Sequence, residues 1–274
     1  MKIFLAYVVM LFVVLASIPA HAQLLPMVLY DDFDTGNLDP AKWVGSEVGG
    51  QGREAFRAIK SHQLRLGYIG YCDTDDDTND CASSLRLNFT DPNAVTAIQA
   101  VINPAQVATT ACASNPFPTS AGVELFGFFF NTGTPQPGSN KHDVRARIGV
   151  ERNSDSTDPA DTLRVSARVV RCLNDDCSNG TELYVQDMGP ITIGTATTVT
   201  MQWDPSHDQF IFQRDDGLGN PHTFFAPYNF PDASAPGVAN KRIHATVDVP
   251  SCTTNPRPSA LIQAFIDDVF VNAP

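Results

Sequence analysis

Short stretches in which apolar and polar residues alternate recur along the chain, and they constrain the fold more than any other feature. Alternation with a period of two places every second side chain on the same side of an extended strand. Clusters of Asp, Asn, Pro and Gly separate the stretches, as turns between strands do. The alternating apolar positions are Val144, Ala146, Ile148 and Val150; Leu163, Val165, Ala167 and Val169; Val199, Met201 and Trp203; and Phe210 and Phe212. We therefore expect an all-β protein, a large sandwich of two antiparallel sheets.

A helical pattern is hard to find in this sequence. The best candidate, residues 92–106, is rich in Val, Ile and Thr and fits a strand equally well, so we assign it to a strand. The 20 prolines and 18 glycines are spread along the chain without a repeat at a fixed period, which argues against a solenoid.

The amino terminus has the pattern of a secretory signal peptide. Lys2 precedes an apolar run over residues 3–18, and Ala20-His21-Ala22 forms a cleavage site of the A-x-A type. A transmembrane anchor is the alternative, but roughly 16 apolar residues are short for a span of about 20. We predict a signal peptide over residues 1–22, a single sandwich domain over residues 23–274, and a secreted, periplasmic or cell-surface protein without stable membrane insertion.

The chain is acidic, with a net charge of −12 at pH 7, and loss of Lys2 with the signal peptide makes it one unit more negative. An acidic protein repels polyanions, so nucleic acid is not a predicted partner. Aspartate supplies 25 of the 30 acidic residues and glutamate only 5. Asp favours turns and Glu favours helices, so this imbalance indicates a loop-rich β protein.

Six cysteines form an even set, which in an exported protein favours disulfides over metal ligation. Zinc-type C-x-x-C pairs are absent from the sequence. Six thiols allow 15 pairings, and the sequence alone does not choose among them. Our prediction takes two local pairs, each closing a short polar loop, and one distant pair: Cys72–Cys81, Cys172–Cys177 and Cys112–Cys252.

Three segments, taken in order, resemble the concanavalin A-like jelly roll shared by legume lectins, laminin G-type modules and laminarinase-type β-glucanases. Residues 29–43 carry an opening strand, the Asp39-Pro40 turn and Trp43, and residues 62–66 carry the next strand. Residues 200–217 resemble a hairpin of that fold, and residues 264–271 resemble its last strand, which returns beside the first. The resemblance implies a two-sheet sandwich and says little about activity.

Glu124 is a lone acid within the apolar stretch 121–131. Retaining glycosidases need two carboxylates about 5–5.5 Å apart, and laminarinase-type enzymes place them on one strand as Glu-x-Asp-x(-x)-Glu. The positions that alternate with Glu124 are Phe126, Phe128 and Phe130, which are apolar where that motif needs acids. The glucanase chemistry is therefore not carried over. We assign no catalytic residue and keep Glu124 only as a candidate.

Two acidic segments could bind calcium. Asp73, Asp75 and Asp77 alternate in a loop between two cysteines, and carboxylate oxygens suit a hard cation. The loop lacks the glycine and the final glutamate of an EF-hand, and a solvated acidic turn held by a disulfide is the alternative. The resemblance to concanavalin A-like glucanases implies a second, structural calcium at Asp267 and Asp268, with carbonyls from residues 45–50. The alternative there is that both aspartates bond to backbone N–H groups.

Aromatic and planar polar side chains in the loops are candidates for stacking on sugar rings. We take Tyr68, Tyr71, His222 and Tyr228 as candidate ligand-binding residues. The densest aromatic segment is residues 221–231, which could instead fold back and bury its own phenylalanines. Trp43 and Trp203 are expected in the core rather than at a sugar site.

These observations favour a secreted, non-catalytic recognition module that binds an extracellular polysaccharide or surface glycan. One alternative is a glycoside hydrolase or polysaccharide lyase with an unrecognised site on the concave sheet. Another is a structural subunit of an extracellular assembly. Calcium is the one cofactor considered, and the sequence leaves the oligomeric state open.

Overall fold

The computed structural model describes residues 24–48, 53–217 and 221–272. The predicted signal peptide lies outside these residues. In the described part of the chain, no helix is long and apolar enough to cross a membrane. The strands are β1 (Met27–Asp31), β2 (Trp43–Val48), β3 (Arg53–Lys60), β4 (Gln63–Tyr71), β5 (Asp80–Phe89), β6 (Ala97–Thr109), β7 (Ser120–Asn131), β8 (Asp143–Asn153), β9 (Thr162–Cys172), β10 (Gly180–Thr192), β11 (Thr197–Asp204), β12 (Gln209–Asp215), β13 (His222–Pro227), β14 (Lys241–Pro250) and β15 (Ser259–Asn272), with a 3₁₀ turn at Pro205–His207 between β11 and β12.

The strands form two antiparallel sheets. The eight-stranded sheet has the order β13-β12-β11-β6-β15-β4-β3, with β1 also paired to β15. The seven-stranded sheet has the order β10-β9-β8-β7-β14-β5-β2. Buried side chains from both sheets make one continuous core. The architecture fits a concanavalin A-like jelly-roll sandwich, so the predicted fold class is confirmed, and the last strand does return beside the first.

Alternation explains why each strand has one buried side. In β8, Val144, Ala146, Ile148 and Val150 are almost fully buried in the core, as the sequence predicts. The same holds for the apolar positions of β9 and β12. Each large aliphatic or aromatic side chain buried in this way contributes about 1.5–3 kcal/mol. Residues between them point away from the core, which places polar groups on the outer face of each sheet.

A register shift in β7 changes the face on which its last residues lie. The shift falls between Phe128 and Phe130 in the pairing with β8. Phe129 packs in the main core by the same alternation as Val123 and Leu125, and the shift brings Phe130 there as well. Phe126 and Phe128 pack against the Cys172–Cys177 disulfide. The expectation that Phe130 shares a face with Glu124 is therefore wrong, because a bulge resets the alternation.

The three predicted disulfides are all present. Cys72–Cys81 and Cys172–Cys177 close short loops, and Cys112–Cys252 joins residues 140 positions apart. The long-range bridge connects the segments that follow β6 and β14, which belong to different sheets. A cross-link that closes so long a loop lowers the conformational entropy of the unfolded chain. In the chain-entropy model this stabilises the folded state by about 4–5 kcal/mol.

Both tryptophans pack against the core, as expected. Trp43 is buried, and its indole Nε1 donates a hydrogen bond to Asp31 Oδ2 at 2.6 Å. Asp39 closes the preceding turn by accepting a bond from the backbone N–H of Ala41 at its side-chain Oδ1. Trp203 donates its Nε1 hydrogen to the hydroxyl of Tyr228 at 2.8 Å. The polar end of each indole is thus satisfied inside the protein.

Candidate functional site

A cleft with a volume of about 560 Å³ lies on the outer face of the seven-stranded sheet. Strands β5, β7, β8, β9 and β14 supply most of its lining. Its size falls within the usual range for ligand sites, about 300–1,000 Å³. The side chains used below are Arg86, Glu124, Arg145, Arg147, Arg168, Arg242 and His244.

Strand register brings these residues together in two rows across the sheet. The first row runs across β9, β8, β7 and β14, and its directly opposed residues are, in that order, Arg168, Arg147, Phe126 and Arg242. The second row runs across β8, β7, β14 and β5, and its directly opposed residues are, in that order, Gly149, Glu124, His244 and Arg86. Directly opposed residues on one face are about 4.5–5.5 Å apart at Cβ, so each row is a set of touching neighbours.

Glu124 is buried beneath the cleft and is held by two donors. Arg147 Nη1 donates to its Oε2 at 2.9 Å, and His244 Nε2 lies 2.6 Å from its Oε1. Burial alone would raise the pKa of Glu124, but Arg147, followed by His244 and Arg242, outweighs this and holds the pKa well below its usual range. Glu124 is therefore an anion at neutral pH, with both oxygens engaged.

The hydrogen bonds of His244 define its protonation. Arg242 Nε can only donate, so His244 Nδ1 accepts at 3.2 Å. The proton of a neutral ring then sits on Nε2 and is donated to Glu124. Burial, together with the nearby Arg242 charge, lowers the pKa of His244 to about 4. The imidazole is neutral at pH 7, and both of its nitrogens are occupied.

Three arginines of the cleft have no carboxylate partner among the described residues: Arg86, Arg145 and Arg242. The guanidinium carbon of Arg242 lies 3.9 Å from the ring centroid of Phe126, and that of Arg145 lies 5.8 Å from it. Burial lowers the pKa of all three, to about 9 for Arg242, which still leaves it protonated at pH 7. Five arginines and three acids, Glu124, Asp176 and Asp248, line the cleft, so it holds an excess of partly desolvated positive charge.

Arginines elsewhere on the molecule differ in how their charge is compensated. Arg164 bonds to Asp158 and Asp187 on the surface. Arg214 donates to the carbonyls of Met188 and Pro190 and pairs with Asp216. Arg65 donates to Gln263 and Arg152 donates to backbone carbonyls, and neither has a carboxylate partner among the described residues. What distinguishes the cleft is that three such arginines line one depression.

Two glycines permit the close approach of strands beside Glu124. A Cβ on Gly149 would lie 2.3 Å from the carbonyl oxygen of Val123 and 2.5 Å from the Cβ of Glu124. A Cβ on Gly122 would lie 2.7 Å from the carbonyl oxygen of Val150. Only glycine leaves the space that Glu124 needs against β8.

The arrangement provides no obvious pair of catalytic carboxylates. A glycosidase needs one protonated and one ionised acid about 5–9.5 Å apart, and Glu124 is held as an anion. Asp248 has a pKa raised to about 6 by burial and by Asp80. However, it lies four residues beyond His244 on β14, roughly 13 Å along the strand. Glu124 and Asp248 are therefore too far apart to form such a pair.

Sequence reasoning found Glu124 but missed the arginines around it. A signal was present, because Arg145 and Arg147 alternate on one strand and Arg242 and His244 alternate on another. Spacing of two residues places such pairs on one face. What the sequence lacked was the register that puts these strands side by side.

The structure does not bring the four predicted ligand-binding residues together. Tyr68 is fully buried in the core, which prevents contact with a polysaccharide, and Tyr71 is exposed at the end of β4. His222 begins β13, which lies on the same sheet but is separated from β4 by four strands. Tyr228 is buried and bonds to Trp203 and Asp232. None of the four lines the cleft.

The acidic loop at residues 73–77 bonds to protein donors at two of its three predicted ligands. Asp77 accepts bonds from Ser114 and Thr253, and Asp75 pairs with Arg257. Asp73 is exposed. Among the described residues, the one group with metal-ligand spacing is Asp77 with Cys112 and Cys252, and those cysteines form a disulfide. Calcium binding by this loop stays a prediction.

Asp267 and Asp268 lie side by side in β15. Asp267 accepts bonds from the side chain of Gln63 and the backbone N–H of Asp268. The second of these bonds is of the kind that the alternative to calcium predicts, and it involves Asp267. Residues 45–48, expected to supply carbonyls, lie in β2 of the other sheet, and residues 49 and 50 lie outside the described residues. Calcium at this position also stays a prediction.

No family model matches the chain, and no curated protein matches it. Its structure is similar to a glycoside hydrolase family 16 endo-glucanase from Bacteroides ovatus, with TM-score 0.45, 13% identity, and coverage of 88% of this chain and 97% of that chain. It is also similar to the carbohydrate recognition domain of Emp47p, with TM-score 0.36, 13% identity, and coverage of 88% and 94%. A GlcNAcα1-4Gal releasing endo-β-galactosidase from Clostridium perfringens has TM-score 0.38 and 10% identity over 87% of this chain. This chain spans 62% of that enzyme. Because all these TM-scores are below 0.5, the similarities carry no argument about activity or ligand.

Proposed function

We propose that this chain is a secreted, non-catalytic glycan-recognition protein and that a polysaccharide occupies the cleft on the outer face of the seven-stranded sheet. The observation that carries the proposal is the cleft itself, an open depression of about 560 Å³ built on strands. Its lining offers hydroxyl, guanidinium and carboxylate groups, including Ser84, Thr246, Arg147 and Asp248. Such groups bond to sugar hydroxyls, and their placement on strands keeps the geometry fixed.

A blocking substitution tests the location of binding. Thr246 lines the cleft on β14 and is partly exposed. Thr246→Trp should fill the cleft and abolish binding to a polysaccharide identified on a glycan array. The matched control is Thr198→Trp on β11 of the eight-stranded sheet. Thr198 is partly exposed and faces away from the core, because its neighbour Val199 faces the core. Binding that survives Thr246→Trp, or is lost equally with Thr198→Trp, would place the glycan elsewhere.

Catalysis at the same cleft is the second candidate, and the hydrogen-bonded Glu124–His244 pair favours it. Against it, both imidazole nitrogens are already bonded. The measurement is the appearance of reducing ends from β-glucans, or of unsaturated uronate products from uronate polymers. Product release by the wild type that Glu124→Gln abolishes would establish an enzyme. Glycan binding without product release supports the recognition role.

A further inference from the structure

We infer that the ligand of the cleft is an anionic glycan, whose carboxylate or sulfate groups pair with Arg86, Arg145 and Arg242. This inference rests on the proposed function and specifies its ligand class. The oxyanion chemistry is common to uronate and sulfated polymers, and the experiment below separates the two sources.

The first argument is the unmatched charge. Five arginines line the cleft, and the three named above have no carboxylate partner among the described residues. Arg242 is only 7% exposed. Its one hydrogen bond is made by Nε, which leaves the two terminal nitrogens of the guanidinium without a partner in the described chain. Glu124 is the nearest anion to Arg242, but its two oxygens are already bonded to Arg147 and His244. The cleft therefore keeps an excess of partly desolvated positive charge, which an entering anion would compensate.

The second argument is preorganisation. Arg145 and Arg242 lie against the ring of Phe126, at 5.8 and 3.9 Å from its centroid. The Nε atoms of Arg86 and Arg242 are bonded to Ser84 and His244. Guanidinium groups fixed in this way lose little freedom when they bind the two oxygens of a carboxylate or sulfate.

The third argument is the layout across the sheet. The arginines span β9, β8, β14 and β5, with β7 in the middle. The three arginines without a carboxylate partner lie on β8, β14 and β5, so they extend over three strand spacings, roughly 14 Å. A single small anion cannot contact charges this far apart, but a chain of charged sugars lying across the strands can. Arg147 and Arg168 are already paired with Glu124 and Glu182 and border this path.

Binding to defined polymers tests the inference. The probes are oligomers of polygalacturonate and alginate as carboxylated chains, dextran sulfate as the sulfated chain, and laminarin as the neutral chain. Calorimetry at low and physiological salt should show binding of an anionic chain that weakens as salt rises, because salt screens charge pairs. Which anionic probe binds identifies the source of the oxyanion. We expect laminarin to bind at least tenfold more weakly.

Single substitutions Arg86→Gln and Arg145→Gln should each weaken that binding about tenfold, the size expected for a hydrogen bond to a charged group. Their melting temperatures should equal or exceed that of the wild type, since each substitution removes one charge from a cluster of like charges. The matched control is Arg65→Gln on the eight-stranded sheet. Arg65 also lies over a phenyl ring, Phe56 at 4.5 Å, but its guanidinium donates to Gln263. The substitution Arg65→Gln should leave binding of the anionic chain unchanged.

Three results would overturn the inference. If laminarin binds as tightly as the anionic chains and Arg86→Gln does not weaken that binding, the cleft is still a glycan site, but its ligand is not an anionic glycan. Equal binding of single-stranded DNA of the same charge shows that the cleft recognises charge and not sugar. Absence of binding by every glycan, or binding unaffected by Thr246→Trp, removes the proposed function together with the inference.

Discussion

Glu124 and His244 lie directly opposite each other on β7 and β14, with Oε1 of the carboxylate 2.6 Å from Nε2 of the imidazole. They are 120 residues apart in the chain. The pair lies at the floor of the cleft, which five arginines also line. Its protonation and its contribution to stability can both be measured.

Glu124→Gln should lower the free energy of unfolding by about 3–5 kcal/mol, because it leaves the partly buried Arg147 and the buried Arg242 without their nearest anion. Chemical denaturation at pH 7 measures this. The folded-state pKa of Glu124 is depressed, so its contribution is present above the unfolded value near 4.5 and is lost as the pH falls below it. The control Glu182→Gln removes an exposed carboxylate that pairs with Arg168 and should change stability by at most about 1 kcal/mol. Equal effects of the two substitutions would contradict the buried network.

His244 should be a neutral Nε2–H tautomer from pH 7 down to about pH 5, because burial and Arg242 lower its pKa to about 4. Nitrogen-15 chemical shifts of the imidazole ring report both the tautomer and the titration. The unfolded chain takes up this proton near pH 6.5, so the contribution of His244 to stability falls as the pH drops from about 6.5 towards 4. A His244 signal that titrates near 6.5 would show that the ring is not enclosed by Arg242 and Glu124.

Gly149→Ala should destabilise the protein by about 1–3 kcal/mol, because the added methyl overlaps the carbonyl of Val123 and the side chain of Glu124. Thermal unfolding gives the comparison. Gly133→Ala is the matched control, since its Cβ would approach nothing closer than His142 at 3.4 Å. Equal melting temperatures for the two variants would mean that β7 and β8 can separate freely at the cleft.

Asp248→Asn should stabilise the protein at pH 7 and have little effect below pH 4. Burial and Asp80 raise the folded-state pKa of Asp248 to about 6, and its Oδ1 is buried without a partner among the described residues. The contribution of this acid is therefore present below the unfolded value of 3.8 and is lost as the pH rises through about 6. The gain at neutral pH should be about 1–3 kcal/mol. A pH-independent difference between the variant and the wild type would show that the charge on Asp248 is not the cause.

If the folded protein binds calcium and the unfolded chain does not, EDTA should lower the melting temperature by several degrees and added calcium should restore it. Asp73→Asn with Asp75→Asn, and separately Asp267→Asn, would assign the effect to the loop or to β15. An unchanged melting curve in EDTA removes the calcium prediction at both positions, and the hydrogen bonds of Asp77 and Asp267 then account for those carboxylates.

The net charge of −12 gave no indication of the basic cleft. Net charge sums over the whole surface, whereas a ligand responds to the charges within a few ångströms of it. About half of the acidic residues lie in loops such as 73–77, while Arg86, Arg145 and Arg242 lie together on strands of one face. Composition therefore could not identify the ligand class that local geometry favours.

The sequence by itself determined the all-β class, many of the strands and turns, and the burial of Trp43, because alternation and turn residues are local properties of the chain. It left the disulfide pairing open among 15 possibilities. Tertiary structure decided the rest. It placed Arg86, Glu124, Arg147 and His244 side by side through pairing of strands far apart in sequence, and it moved Phe130 to the core through a bulge. Register between distant strands is fixed by how the whole core packs, so no short segment specifies it.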